Sequence, residues 1–280
     1  RAYVGGICGN NYGYSADTII RNCYNTGTVS TADCDAGGIS GNNSRKYALI
    51  ENCCNFGSVT AVRIAGGISA TNTGNEWKYA TIRNCYNSGS VNCTTTSEAG
   101  GIVSVNFGTI KNCYNTGEVT CAKETPAPIY RSGGGDNIVE NNYYLEGNYT
   151  TRNGTEAKTA EQFASGEIAY LLNESANAGV FRQNLDNGNK ADAFPVLDNS
   201  HGAVYFGYED CYATESKYTN YKVNETQGHK FSEPTCVDVA ACIYCGLKDE
   251  LDPDNHITTD TYYKLIDDET HELLKSELLK

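Results

Sequence analysis

His229, Cys236, Cys242, Cys245 and His256 fall within 28 residues of one another, in "GHKFSEPTCVDVAACIYCGLKDELDPDNHI". Thiolates and imidazoles are the ligands of structural zinc, which takes four of them in a tetrahedron. Cys242-Ile-Tyr-Cys245-Gly246 has the Cys-x-x-Cys-Gly form of a zinc knuckle, in which the glycine lets backbone amides turn toward sulfur. Cys236 with either histidine would complete the site. The alternative is a disulfide pair and a spare thiol, natural outside a cell. A redox role needs the Cys-x-x-Cys at a helix start within an alternating strand–helix pattern, and no such pattern surrounds it.

Other chemistry is sparse. Asp252–Asn255, "DPDN", lacks the full spacing of a calcium loop. Six Asn-x-Ser/Thr sequons begin at Asn42, Asn92, Asn148, Asn153, Asn173 and Asn224, as expected by chance in a chain this rich in Asn, Ser and Thr. Trp77, in the variable stretch "GNEWKY", is the candidate contact residue, because exposed aromatics mark contact surfaces. Net charge is −13, of which residues 201–280 supply −9 (16 acidic, 7 basic). That excess of acid excludes a nucleic-acid partner, since phosphates demand a basic face. No apolar run approaches 18 residues, so no span crosses a membrane in this segment. The chain starts at Arg1, inside a repeat, and contains no Met, which reads as a processed protein or a fragment.

The elements that carry these residues are set by a repeat. "NCYNTGTVS" at Asn22 returns as "NCCNFGSVT" at Asn52, "NCYNSGSVN" at Asn84 and "NCYNTGEVT" at Asn112, after 30, 32 and 28 residues. Each copy begins with Gly-Gly-Ile: Gly5-Gly6-Ile7, Gly37-Gly38-Ile39, Gly66-Gly67-Ile68 and Gly100-Gly101-Ile102. An Ile-x-Asn-Cys strand follows, with Ile20, Asn22 and Cys23; Ile50, Asn52 and Cys53; Ile82, Asn84 and Cys85; Ile110, Asn112 and Cys113. A third short strand centres on Val29, Val59, Val91 and Val119. A worn fifth copy contains Gly134-Gly135 and "VENNYY".

Periods of this length signal solenoids, propellers or arrays. Three short strands and turns in about 30 residues fit one coil of a parallel β-solenoid, stacked at about 4.8 Å. Like residues then form columns, because one coil cannot bury its own apolar face and a stack can. The repeated Asn should form a polar ladder, the repeated Cys an inward reduced column, and the repeated Gly the positive-φ corner. Cys93 and Cys121, equivalent in adjacent coils, are a candidate bridge near the lower distance limit for a disulfide.

"GGISGNN…LIENCCNFGSVT" and "GGIVSVNFGTIKNCYNTGEVT" resemble the GLUG motif, found in repeats of bacterial surface proteins such as immunoglobulin A peptidases and large adhesins. Residues 100–119 match its pattern nearly throughout, and the other copies match at both ends. The resemblance implies an exported β-solenoid and brings no catalytic residues. "AEQFASGEIAYLLNESAN", Ala160 to Asn177, reads as a helix; together with Gln183 and "AFPVLD" it is similar to segments that follow such repeats, and is expected to cap the last coil. The tail is similar to small Gly-His…Pro-Thr-Cys…Cys-x-x-Cys-Gly modules of exported clostridial proteins. "ETHELLKSELLK" reads as a short amphipathic helix.

The expected architecture is all-β: a parallel β-solenoid of four to five coils over residues 1–150, a small α+β cap over 151–205 and an acidic Cys/His-rich module over 206–280. The expected function is a non-catalytic, secreted or cell-surface structural or adhesion module of a bacterial surface protein, with outer loops as contact points. Its partner would be a host or neighbouring-cell surface protein or glycan, with end-to-end self-association through an uncapped first coil. The alternatives are the non-catalytic flank of a surface peptidase and a β-helix carbohydrate-active enzyme. The enzyme needs convergent carboxylates, or a Lys/Arg base beside calcium, on one face, whereas the repeated positions here are Asn, Cys, Gly and Val. The only cofactor implied is the candidate structural zinc.

Overall fold

The computed structural model describes residues 2–280 except 75–79, 96–97, 124, 135–136, 186–190, 209–212, 214, 222, 224–228, 230, 233–239, 244, 249–264, 267–272 and 276–280. Contacts divide the chain into two units: residues 1–206 with 218–222, and residues 207–217 with 223–280.

The first unit is a parallel β-solenoid. Each full coil has five short strands, where the sequence suggested three. In the second coil they are Asp35–Gly37, Ser40–Ser44, Ala48–Glu51, Cys54–Asn55 and Val59–Ala61. Equivalent strands stack into five all-parallel sheets of four to six strands. Register follows the repeat: Ile20, Ile50, Ile82 and Ile110 are successive partners, as are Val29, Val59, Val91 and Val119.

Two breaks divide the expected strands. Gly-Gly is a corner between the first and second strands rather than a strand start. A Cβ on Gly38 would lie 2.1 Å from the Gly67 carbonyl oxygen and 2.4 Å from Asn55 Cγ, so only glycine lets the coils close. The second break is the Asn before each Cys. Asn22, Asn52, Asn84, Asn112 and Asn141 all have φ between 51° and 55°. The positive-φ corner expected of the repeat glycine is therefore made by asparagine, one of the few side-chain-bearing residues that enters this region readily. The reversal also resets which side chains face inward.

Three asparagine ladders tie the coils together. At the corner, Asn52 donates to Asn22 (3.2 Å), Asn84 to Asn52 (3.2 Å), Asn112 to Asn84 (3.3 Å) and Asn141 to Asn112 (2.8 Å). A second ladder runs the opposite way: Asn25 donates to Asn55 (2.8 Å), Asn55 to Asn87 (2.7 Å) and Asn87 to Asn115 (2.7 Å). Each of these amides also donates to the carbonyl two residues on, from Gly27 to Gly117, at 2.8 Å. A third ladder joins Asn11, Asn43, Asn72 and Asn106 at 2.7 to 2.9 Å.

Between the ladders lie two apolar clusters. One joins the Ile20–Ile110 column, the Ile39, Ile68, Ile102 and Ile129 column and the thiols of Cys53, Cys85 and Cys113. The other holds the valine column with Ala36, Ala65 and Ala99. Cys23, Cys53, Cys85 and Cys113 each turn Sγ to the carbonyl two residues back, at 3.1 to 3.3 Å. Contact with the Cys85 thiol, and then burial, push the Cys53 thiol far above its ordinary range; burial does the same to Cys85. Cys53 and Cys85 therefore stay protonated and act as small fillers. In the fifth coil Asn142 takes the cysteine position, its side-chain Oδ1 accepting from Cys113 N–H at 3.0 Å. Tyr149, partly buried, then packs against both clusters.

The segment expected as one helix over Ala160–Asn177 forms two, α1 (Ala160–Ala164) and α2 (Glu167–Leu172). Gly166, with φ of 92°, breaks them apart. Thr159 and Gln162 form a capping box on α1. The helices rest not on the end of the stack but along its side. Tyr86, Tyr114 and Tyr143 point outward from consecutive coils, and Phe163, Ile168, Leu172 and Phe181 pack on them. Tyr86 and Tyr114 stack at 4.9 Å and 4°. Of the stretch expected as the C-terminal helix, Leu273–Lys275 is instead a strand antiparallel to Leu265–Ile266, a pairing that satisfies the same backbone groups a helix would satisfy locally, and residues 269–272 and 276–280 lie outside the described residues.

A charged column runs outside. Glu51, buried, lies in register between Arg21 and Arg83 and is bonded to both, with Arg83 Nε at 2.8 Å. Burial works to raise the Glu51 pKa, but hydrogen bonds from Arg83 and Arg21 outweigh it and hold the carboxyl below its ordinary range. A depressed folded pKa gives stability that is present above the ordinary carboxylate range and lost as pH falls through the folded value. The stability gap between wild type and Glu51→Gln should therefore be widest near neutral pH and close toward strongly acidic pH; a gap independent of pH contradicts the pairing. Asn87→Ala deletes two donated bonds and strands Asn55 and Gly89 in the interior, so denaturant unfolding should show a loss of roughly 2–4 kcal/mol.

Candidate functional site

The second unit brings three of the five candidate metal ligands together. Ligand atoms of His229, Cys242 and Cys245 all lie within 4.8 Å of one another. Cys245 Sγ is 3.4 Å from His229 Nδ1. Two ligands at ordinary zinc–sulfur and zinc–nitrogen distances on a tetrahedron stand about 3.5 Å apart, so this edge already fits the ion. Cys236 and His256 lie outside the described residues, as does Trp77.

Local backbone explains the convergence. Gly246 has φ of 73°, and a Cβ there would meet nothing within 4 Å, so conformation rather than space selects glycine. The turn is closed by Gly246 N–H to the Cys242 carbonyl at 2.8 Å and Cys242 N–H to the Leu247 carbonyl at 2.7 Å. Antiparallel bridges from Ala241 to Lys248 and from Phe231 to Cys242 hold the turn's base and bring His229 alongside. Cys242 is buried and Cys245 exposed. Two sulfurs and one nitrogen suit a structural zinc, with one further ligand to complete it.

The repeat residues singled out in the sequence are otherwise occupied. Ile20, Ile50, Ile82 and Ile110 are core, the four cysteines are fillers, and the corner asparagines bond from coil to coil. Sequence reasoning found one asparagine ladder and missed two. Asn25, Asn55, Asn87 and Asn115 recur at a fixed offset three residues after the first, a signal available in the repeat. The sequon at Asn42 is unusable in the folded chain, because that side chain is buried and bonded to Asn10 and Thr71.

Residues 1–30 match the family model of the GLUG motif. The match covers the first copy of the repeat. No curated protein sequence matches the chain. A solved structure from Bacteroides ovatus, provisionally described as an immunoglobulin A1 protease, is similar over 69% of this chain and 74% of its own, at 16% identity and a TM-score of 0.46. The coils turn their repeated asparagines to one another, and the tail unit presents the metal-type side chains.

A structural zinc at His229, Cys242 and Cys245 predicts about one zinc per chain after dialysis, lost in Cys245→Ser together with protease resistance of the tail. Chains without zinc, and without reactive thiols at Cys242 and Cys245 under denaturation, would instead show a disulfide.

Proposed function

We propose that the chain is a non-catalytic, extracellular structural or adhesion module of a bacterial surface protein. It acts as a rigid GLUG stalk whose outer loops make contact with a surface protein or glycan on a host or neighbouring cell. The observation that carries this reading is the use of the repeated polar side chains. Asn55, Asn87, Asn115, Asn43 and Asn72 are buried and spend their amides on the next coil or on a turn carbonyl. Side chains committed in this way hold shape and are not available to hold substrate. The interior is continuous from the first coil to the fifth, as a stalk requires. Among the described residues no helix is long and apolar enough to cross a membrane. The GLUG match supports a surface-protein setting. The tail zinc belongs to the same proposal, as a stabiliser of a small unit.

The test is an activity screen of the whole chain against pectins, host-type glycans and peptides, paired with binding to immobilised glycans and surface proteins. Saturable binding without turnover is expected. Turnover abolished by a single acidic substitution would overturn the module reading.

A further inference from the structure

The outward tyrosine column has one broken rung. Tyr24, Tyr86, Tyr114 and Tyr143 follow the corner asparagine or its neighbour in four coils, but the second coil carries Cys54 there. In the same coil Phe56 replaces the Thr26, Ser88 or Thr116 of the others. The ring has in effect moved two residues along the chain. Phe56 turns its edge to Tyr86, 84° between planes at 5.7 Å, yet stays 47% exposed. It lines the gap instead of filling it.

A cavity of about 750 Å³ opens at this place, lined by Tyr24, Cys54, Phe56 and Tyr86 on the solenoid and by Asp198 and His201 on the segment that follows the helices. Tyr24 is 66% exposed. Two coils at about 4.8 Å each separate the Tyr24 rung from the Tyr86 rung, which leaves room for one ring between them at the spacing at which Tyr86 and Tyr114 already stack. The opposite wall sets Asp198, Asn199 and His201 beside the apolar Val180, Val196 and Leu197. Asp192 Oδ2 engages His201 Nδ1 at 2.6 Å, which leaves Nε2 for another partner. Asp198 accepts the Ser200 N–H at 2.9 Å through Oδ1, and this bond holds its carboxyl below the ordinary range as an anion. Burial pushes the Cys54 thiol up to about 11, so the floor is neutral.

Aromatic faces on one side and hydroxyl acceptors on the other suit a ligand that is itself two-sided. We propose that this cleft binds the pyranose ring of a neutral sugar, its C–H face on Tyr24 and Phe56 and its hydroxyls on Asp198 and His201. A wholly apolar ring would cover the Asp198 carboxylate and the His201 imidazole edge without offering either a further hydrogen bond. An acidic sugar would meet Asp198 and a chain of net charge −13. The site is separate from the outer loops of the stalk, and the stalk reading holds whether or not this cleft binds.

The test is titration of the whole chain, by calorimetry and ligand-observed NMR, with methyl pyranosides of glucose, galactose, mannose and N-acetylglucosamine. A ring of this size should bind with Kd on the order of millimolar. Cys54→Tyr restores the residue of the other coils and fills the rung; it should weaken binding at least tenfold without lowering Tm. Tyr24→Ala and Asp198→Ala, both at exposed positions, should weaken it similarly and guard against misfolding of the first variant. Overturning results are no saturable binding by the wild type, tighter binding of N-acetyltyrosinamide than of every sugar, or unchanged affinity in Cys54→Tyr and Tyr24→Ala.

Discussion

A buried primary amide has two donors and an acceptor to satisfy, and in an apolar interior each omission costs on the order of a hydrogen bond's desolvation. The coils meet that demand only when stacked in register, with Asn25, Asn55 and Asn87 each reaching the next amide and its own turn carbonyl. A slip of one residue would break the chain of amides and point the neighbouring apolar side chains the wrong way. Burial of isoleucine and valine rewards any stacking; the amides specify this one. Opposite ladder directions, toward the first coil at the corner and toward the last in the interior, pin both sides of each turn.

Other features follow from keeping that register. Glycine at the first corner admits the neighbouring asparagine without a collision, as at Gly38 against Asn55. Left-handed asparagine at the second corner lets cysteine turn inward and tyrosine outward within two residues. Outward tyrosines then give the helices a face to dock on, with Tyr114 OH bonded to the Pro195 carbonyl and Lys111 paired with Glu174 at 2.9 Å. The flank is therefore covered by a segment that reads its own column, not by a lid on the last coil.

The columns of Ile, Cys and Val were legible because identical spacing forces identical positions in any stack. The corner was less so, since Asn and Gly both tolerate positive φ and the sequence holds both within five residues; only the backbone shows that Asn22 and its equivalents adopt it. That ambiguity hid the division into five strands and the outward turn of the tyrosines, and with it the docking site of α1 and α2. Gly166 was visible inside the helix pattern, but its left-handed φ was not. At the tail, the Cys-x-x-Cys-Gly spacing foretold the convergence of Cys242 and Cys245, while the approach of His229 depends on bridges from Phe231 that no local pattern announces.

The central claim is a single-file stack of coils, and sulfur reports it most directly. An anomalous-scattering map from a crystal of the chain should place the sulfurs of Cys23, Cys53, Cys85 and Cys113 in one row at intervals of about 4.8 Å. Sulfurs dispersed through the molecule, or paired off the row, would contradict the account.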